Sequence, residues 1–322
     1  MIPPLLQDAY ESLRSCQLCP RACRVDRVGS LGRGGGKGFC RQDGELKVAY
    51  VGPHRGEEPP ITGTRGSGTV FVTGCSLRCC YCQNHQISHE GLGLRTSPDE
   101  LAEKIQEMCK IERVHNVNFV SPDHFYPQVL HVIWLLRSNG MSIPVVINCS
   151  GYQSVEMVRM GKDFVDIYLT DFKYAETDLA RRLSACPDYP EVALAAVDEM
   201  LRQKGYLRTS GTNPPLATKG VLVRHLILPG HMDNSCTALT MLRVEFGRGL
   251  PLSLMSQYFP VRPQKEKSLN RTLRQDEFDR VLKHAIDLGF ENLFVQFPDQ
   301  AEPGLHERPK FVPDFTAKQP FE

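Results

Sequence analysis

Charge of one sign is missing from this 322-residue chain, in which 38 Lys and Arg stand against 37 Asp and Glu for a formal net charge of +1. Such a balance carries no clear nucleic-acid signal and no acidic solvating tail. Long apolar runs are missing too. The longest, at 129–136 and 221–228, are short or are broken by Arg224 and His225, well below the roughly 20 apolar residues of a spanning helix. The N-terminal MIPPLLQDAYESLR has no basic stretch followed by an apolar one, so neither a leader nor membrane association is expected, and a cytoplasmic, reducing setting is.

Cysteine, by contrast, is abundant. At this length, 41% hydrophobic residues build a core without covalent staples, so twelve cysteines exceed what stability needs. In a reducing compartment clustered cysteines point to metal or redox ligands. One group, Cys16, Cys19, Cys23 and Cys40, brackets a loop rich in glycine (Gly32, Gly34, Gly35, Gly36, Gly38). A second, Cys75, Cys79 and Cys82, has C-x3-C-x2-C spacing. Cys80 falls outside that register, and Cys109, Cys149, Cys186 and Cys236 are isolated and read as small buried residues.

Four stretches organise the chain: a Cys-rich segment at 1–46, a Pro- and Gly-rich connection at 47–68, a strand–helix repeat at 69–298 and a tail at 299–322. The connection reads as irregular, and the tail is assigned no chemistry. Strands are expected at 69–73, 117–120, 145–148, 164–170, 221–228, 252–255 and 293–296. Helices are expected near 128–137, 154–160, 191–203 and 236–246. A further helix starts at Ser97, followed by Pro98 and by Glu100 in a capping box. The last, 273–288, takes Thr272 and Gln275 as its box and Gly289 as its stop. Strands apolar on both faces, alternating with helices, form a covered parallel sheet, and six or seven units exceed half a dinucleotide-binding domain. The expected fold is α/β, a partial or full βα barrel with functional groups at the C-terminal ends of its strands.

The cysteines of GCSLRCCYCQN, 74–84, sit on a loop at the C-terminal end of the first such strand. Three thiolates this close can hold three irons of a [4Fe–4S] cube and leave the fourth open, and an open metal position implies chemistry. A zinc site completed by His85, or a register through Cys80, is the alternative.

This loop, with Tyr81 before the last cysteine, resembles that of the radical S-adenosylmethionine (SAM) enzymes. The ending Tyr81-Cys82-Gln83-Asn84 resembles the branch containing pyruvate formate-lyase activating enzyme and its relatives of undefined substrate. GEEPPITGTRGSGTVFVTGCSLRCCYCQNHQIS, NFVSPDHF, NCSGY, TDFK and VRHLILPG resemble segments of that subgroup, over most of residues 16–297. The resemblance implies a partial (β/α)6-type barrel, a [4Fe–4S] cluster on Cys75, Cys79 and Cys82, SAM on its open iron, a 5′-deoxyadenosyl radical, hydrogen abstraction, and a reductant such as flavodoxin or ferredoxin. It implies SAM contacts from Tyr81, Asn148, Ser150, Asp171, Lys173 and Arg224. The family's Gly-Gly-Glu motif is replaced by Ser121-Pro122-Asp123-His124, where Ser121 is the candidate contact, while a proline turn with His124 partly exposed is the plainer reading. On an apolar strand Arg224 and His225 point to opposite faces, so only one meets the barrel interior.

For Cys16, Cys19, Cys23 and Cys40 two metals are in view, structural Zn and an auxiliary [4Fe–4S] cluster, either supplying folding free energy to a loop-rich segment. The substrate is not encoded in any motif. A glycyl radical enzyme or another protein is one target, a maturase or small-molecule reaction a second, and a non-catalytic Fe–S or Zn protein the reading from a different class.

Overall fold

Strand and helix signals alternate through the chain, and the ten strands among the described residues form one sheet with a short hairpin arm. The computed structural model describes residues 2–29, 38–211, 213–298, 309 and 311–321. Gly32, Gly34, Gly35 and Gly36 and the tail at 299–308 lie outside the described residues. The strands are β1 (Lys47–His54), β2 (Ser67–Val72), β3 (Leu94–Arg95), β4 (Val117–Val120), β5 (Val145–Cys149), β6 (Ile167–Asp171), β7 (Arg208–Ser210), β8 (Leu216–Leu226), β9 (Leu252–Met255) and β10 (Leu293–Val295). They lie in the order β10-β9-β8-β6-β5-β4-β2-β1-β3, with β7 paired to β8.

From β2 through β10 the neighbours along this path are parallel. Their spatial order follows the chain, without the reversal that defines a doubly wound sheet. Helices make the crossovers, and β2, β4, β5, β6 and β9 are buried along their whole length. β1 runs antiparallel to β2 at one end, β10 ends the other, and the barrel stays open between them.

Local chemistry sets most element ends. The helix Pro98–Glu112 begins as expected, with Ser97 Oγ accepting from Glu100 N–H and Glu100 accepting from Ser97 N–H. The helix Val155–Met160 is capped by Ser154. The last helix departs from expectation: it spans Gln275–Asp287, its first turn is fixed by the Glu277 carboxylate accepting from Arg274 N–H, and Thr272 and Gln275 form no box. Glu277 is buried against Arg271, and that tertiary pairing sets where the helix starts. A helix at Thr177–Ser184 was not expected; it adds a second element to the β6–β8 crossover.

The connection at 47–68 is not irregular throughout. It carries β1 and a short helix, Pro59–Thr62. Pro53 argues against a strand, but β3 covers only Lys47 and Val48, so Pro53 lies on an edge where a missing N–H costs no ladder bond. The short helix inserts Ile61 into a fully buried cluster with Val146, Ile167, Leu169 and Leu222. These strand positions alternate with residues facing the outer helices, so the cluster is an apolar floor inside the curled sheet. Among the described residues no helix is long and apolar enough to cross a membrane.

Candidate functional site

Above that apolar floor the same inward faces turn polar. A cavity of about 850 Å³ opens there, lined from β2, β4, β5, β6, β8, β9 and β10 together with the loop after β2. Cys75, Cys79, Tyr81, Cys82, Ser121, Asn148, Ser150, Asp171, Lys173 and Arg224, singled out from sequence on five different segments, all line it.

Backbone conformation brings these groups together. Gly74 (φ +94°) turns the chain out of β2; a Cβ there would sit 3.0 Å from Cys40 O and 2.9 Å from His124 Nε2. The loop that follows is tied at both sides: Cys80 N–H donates to Leu183 O at 2.8 Å, and Arg262 donates through two nitrogens to Cys80 O at 2.9 and 3.1 Å. Cys80 does not line the cavity. Donors also reach the thiols, with Leu77 and Arg78 N–H at 3.4 and 3.5 Å from Cys75 Sγ and Ser88 Oγ–H at 3.3 Å from Cys82 Sγ. His85, the zinc alternative, pairs instead with Glu90 at 3.4 Å and lies outside the cavity lining. Among the described residues no three Cys, His, Asp or Glu side chains converge closely enough to hold one metal ion.

Arg224 faces the cavity and His225 the helix side, as alternation requires. Arg224 donates to Asp171 Oδ1 (2.8 Å), Asn148 Oδ1 (2.6 Å) and Glu57 Oε2 (3.3 Å). Lys173 donates to Asp171 Oδ2 at 2.5 Å. Burial alone would raise Asp171, but Arg224 and Lys173 beside it hold the carboxyl below its ordinary range. Glu57, which no motif singled out, also accepts from Asn118 and Asn148 Nδ2 at 3.0 and 3.1 Å. Burial lifts both Glu57 and its neighbour Glu58. The signal that could have found Glu57 is Arg224 itself, since a guanidinium in an apolar strand needs carboxylates within reach.

Ser121 adopts φ +52° immediately after β4 and lines the cavity. The turn after it is helical at Asp123–Phe125, yet His124 is fully buried, correcting the expectation of partial exposure. Its Nε2–H donates to Thr73 O at 2.7 Å. Asp123 accepts from Ser76 Oγ (2.7 Å) and Gln153 Nε2 (2.9 Å), which pins the cysteine loop to the turn after β4. Both residues act on the loop's position and neither lines the cavity. Of the isolated cysteines, Cys149 and Cys186 are buried, Cys149 lines the cavity, and Cys109 and Cys236 are half-buried.

The tail also has a place. Phe311, Pro313 and Phe321 line the cavity mouth, and the rings of Phe315 and Phe321 pack at a tilt against Phe71, with centroids at 5.2 and 5.5 Å.

The donor set fits a cluster with an open position and a charged organic ligand. Three thiols, of which Cys75 and Cys82 accept S-directed donors, share one cavity with two cations, a guanidinium-bound carboxylate, and Glu58 Oε2, which is buried and has no hydrogen-bond partner. Residues 69–212 match the family model of the Radical SAM superfamily. An uncharacterized protein of Methanocaldococcus jannaschii is 29% identical over 297 residues, covering 88% of this chain and 79% of the relative. Among solved structures, the FeFe-hydrogenase maturase HydG from Carboxydothermus hydrogenoformans is similar at TM-score 0.48 and 12% identity, over 76% of this chain and 55% of that one. Streptococcus suis SuiB bound to S-adenosylmethionine is similar at TM-score 0.43 and 9% identity, over 72% and 46%; the chain thus spans about half the length of each. Residues 69–212, which carry the cysteine loop and β4 to β6, are the part of this chain that is similar to the radical SAM superfamily.

Proposed function

We propose that this protein is a radical SAM enzyme whose Cys75, Cys79 and Cys82 hold a [4Fe–4S] cluster with one open iron. The observation that carries the reading is the meeting of these three thiols with Tyr81, Ser121, Asn148, Ser150, Asp171, Lys173 and Arg224 around one cavity. With SAM bound, such a cluster supplies a one-electron cleavage that yields a 5′-deoxyadenosyl radical for hydrogen abstraction.

The chain's own residues hold and orient. Donors to Cys75 and Cys82 stabilise thiolate charge. Glu58 Oε2 and Ser121 offer acceptors to an ammonium group, and Lys173 and Arg224 offer charge to a carboxylate. Arg224 stays in place because Asp171, Asn148 and Glu57 take its donors. Phe71, Phe311 and Phe321 at the mouth exclude water.

The leading substrate class is a glycine of a partner protein, as in activating enzymes, with a flavodoxin or ferredoxin as reductant in the cytoplasm. One observation favours a second reading, a small-molecule substrate: the tail rings line the cavity, whose volume is in the range that holds one or two small ligands. Anaerobically reconstituted protein with dithionite and SAM tests the chemistry. It should form 5′-deoxyadenosine, and Cys75→Ala should abolish it; wild-type protein that forms none, with iron content indifferent to Cys75→Ala, overturns the proposal.

A further inference from the structure

A second cavity lies beside the first. It is small and enclosed, and its lining includes Cys16, Cys19, Cys23 and Cys40 together with Arg21, Arg27 and His124. Four thiols from a segment that crosses from residue 16 to residue 40 meet there.

Charge at this spot is unbalanced in the protein alone. Arg27 is 0% exposed, yet its acceptors are Cys16 Sγ at 3.6 Å and Asp43 O at 2.7 Å, and its Nε has no partner. Arg21 donates only to carbonyl oxygens, those of Ser76, Leu77, Ser184 and Ala185. Among the described residues neither guanidinium forms an ion pair with a carboxylate. A buried guanidinium without an anion is unfavourable, and four metal-bound thiolates would supply the missing negative charge.

The backbone is shaped for sulfur ligands. Arg24 and Arg41, each following a cysteine, adopt φ +55° and +59°, in the left-handed region that non-glycine residues occupy only when their surroundings enforce it. Phe39 N–H points at Cys23 Sγ from 3.4 Å, and a Cβ on Gly38 would approach that sulfur to 3.1 Å.

Thiolate charge alone does not choose the metal, because zinc and a cubane on four thiolates both carry net negative charge. Geometry does. Among the described residues no three of these thiols stand as a ready single-ion site, although all four line one cavity; a cubane, whose irons each take one thiolate, binds thiols spaced too widely to share one ion. We propose that Cys16, Cys19, Cys23 and Cys40 hold an auxiliary [4Fe–4S] cluster, closed to substrate because all four irons have protein ligands.

The site adjoins the catalytic loop. Arg21 reaches Ser76 O at 3.1 Å and Leu77 O at 3.4 Å, directly after Cys75, and Arg78 reaches back to Phe39 O at 3.4 Å, directly before Cys40.

Metal analysis tests the proposal without any SAM reaction, so its failure is separate from failure of the enzyme reading. After anaerobic reconstitution, wild-type protein should carry about eight irons and the Cys75→Ala/Cys79→Ala/Cys82→Ala variant about four, with matching sulfide. That variant should keep a broad visible absorbance that dithionite bleaches. Adding Cys16→Ala and Cys23→Ala to it should remove all iron. A triple variant without iron, or one that carries a single zinc per chain, overturns the proposal, and this arm stands even if the N-terminal variants fail to fold.

Discussion

Asp171 and Arg224 are register partners on the parallel strands β6 and β8, and their side chains meet at 2.8 Å on the cavity face. One guanidinium thereby joins three strands and the 47–68 connection through Asp171, Asn148 and Glu57. Arg224→Met leaves two buried carboxylates with Lys173 as their nearby cation, and the expected cost is about 3–5 kcal/mol. Arg224→Lys keeps the charge and loses the fork, so about 2 kcal/mol is expected. Urea denaturation measures both, and a change below about 0.5 kcal/mol for Arg224→Met would show that the network is not structural.

This relationship also shows what the sequence could reveal. β6 and β8 are legible as apolar runs, and Arg224 is conspicuous inside one of them. Its partners are less so, because Glu57 belongs to a segment whose prolines and glycines speak for a loop. The insertion of that segment into the barrel depends on Ile61 finding the floor formed by Val146, Ile167, Leu169 and Leu222, a contact no local pattern encodes. The cysteine loop is legible from spacing alone. Asp123 and His124 are legible as a turn, but their grip on Ser76 and Thr73 exists only after β2 and β4 pair. The tail carries no periodicity, and only packing on Phe71 gives it a role.

Gly151 in the NCSGY segment has φ +81°, and a Cβ there would lie 2.0 Å from Asp171 O and 2.6 Å from Tyr189 Oη. Neither obstacle is a flexible chain end, since Tyr189 is fully buried and its hydroxyl donates to Ser150 O. Gly151→Ala must therefore separate β5 from β6 at the level of the site. A loss of about 3 kcal/mol or more is expected, the sum of backbone strain and overpacking. A thermal melt within about 2 °C of wild type would contradict it.

Asp123 accepts one hydrogen bond at each oxygen, from Ser76 and Gln153, while Gln153 Oε1 has no partner. Asp123→Asn can keep both contacts, because a flipped Gln153 amide would accept from the new NH2 and Ser76 would still donate to the remaining oxygen. Asp123→Ala leaves two buried polar groups unpaired and should cost about 2–4 kcal/mol, with loss of iron from the neighbouring loop. The two variants separated by less than about 1 kcal/mol would refute the bonding scheme.

His225 is fully buried between Phe172 O (2.6 Å) and Ser235 Oγ (2.9 Å). Burial pushes its pKa down to about 4, outweighing the Phe172 carbonyl that favours the protonated ring. Its ordinary value is near 6.5, so the folded state binds the proton less readily than the unfolded chain. The stability this group contributes is complete above pH 6.5 and is lost as pH falls toward 4, at about 1.4 kcal/mol per unit. His225→Asn removes the titration, and its unfolding free energy should vary less steeply with pH over that window by about one proton. His54, His89 and His124, lowered to about 4, about 4 and about 3 by burial, contribute to the remaining slope. Parallel pH profiles for wild type and variant would reject the assignment.

The tail is held over the cavity mouth by two kinds of contact that mutation can separate. Gln86 donates to Asp314 Oδ1 at 3.0 Å and accepts from Phe315 N–H at 2.8 Å, whereas Phe315 and Phe321 pack at a tilt against Phe71 and Phe321 also covers His54 at 4.2 Å. Gln86→Ala removes both hydrogen bonds and leaves the rings, for a cost of about 1–2 kcal/mol. Phe315→Ala with Phe321→Ala leaves the hydrogen bonds and bares Phe71 and Val120, which share that apolar cluster. The aromatic variant should therefore bind a hydrophobic dye more strongly than Gln86→Ala does, and should lose its reconstituted cluster faster in air, because exclusion of solvent rests on the apolar cover rather than on the polar tether. Equal dye binding and equal bleaching rates in the aromatic variant and the wild type would show that the tail does not guard the cavity.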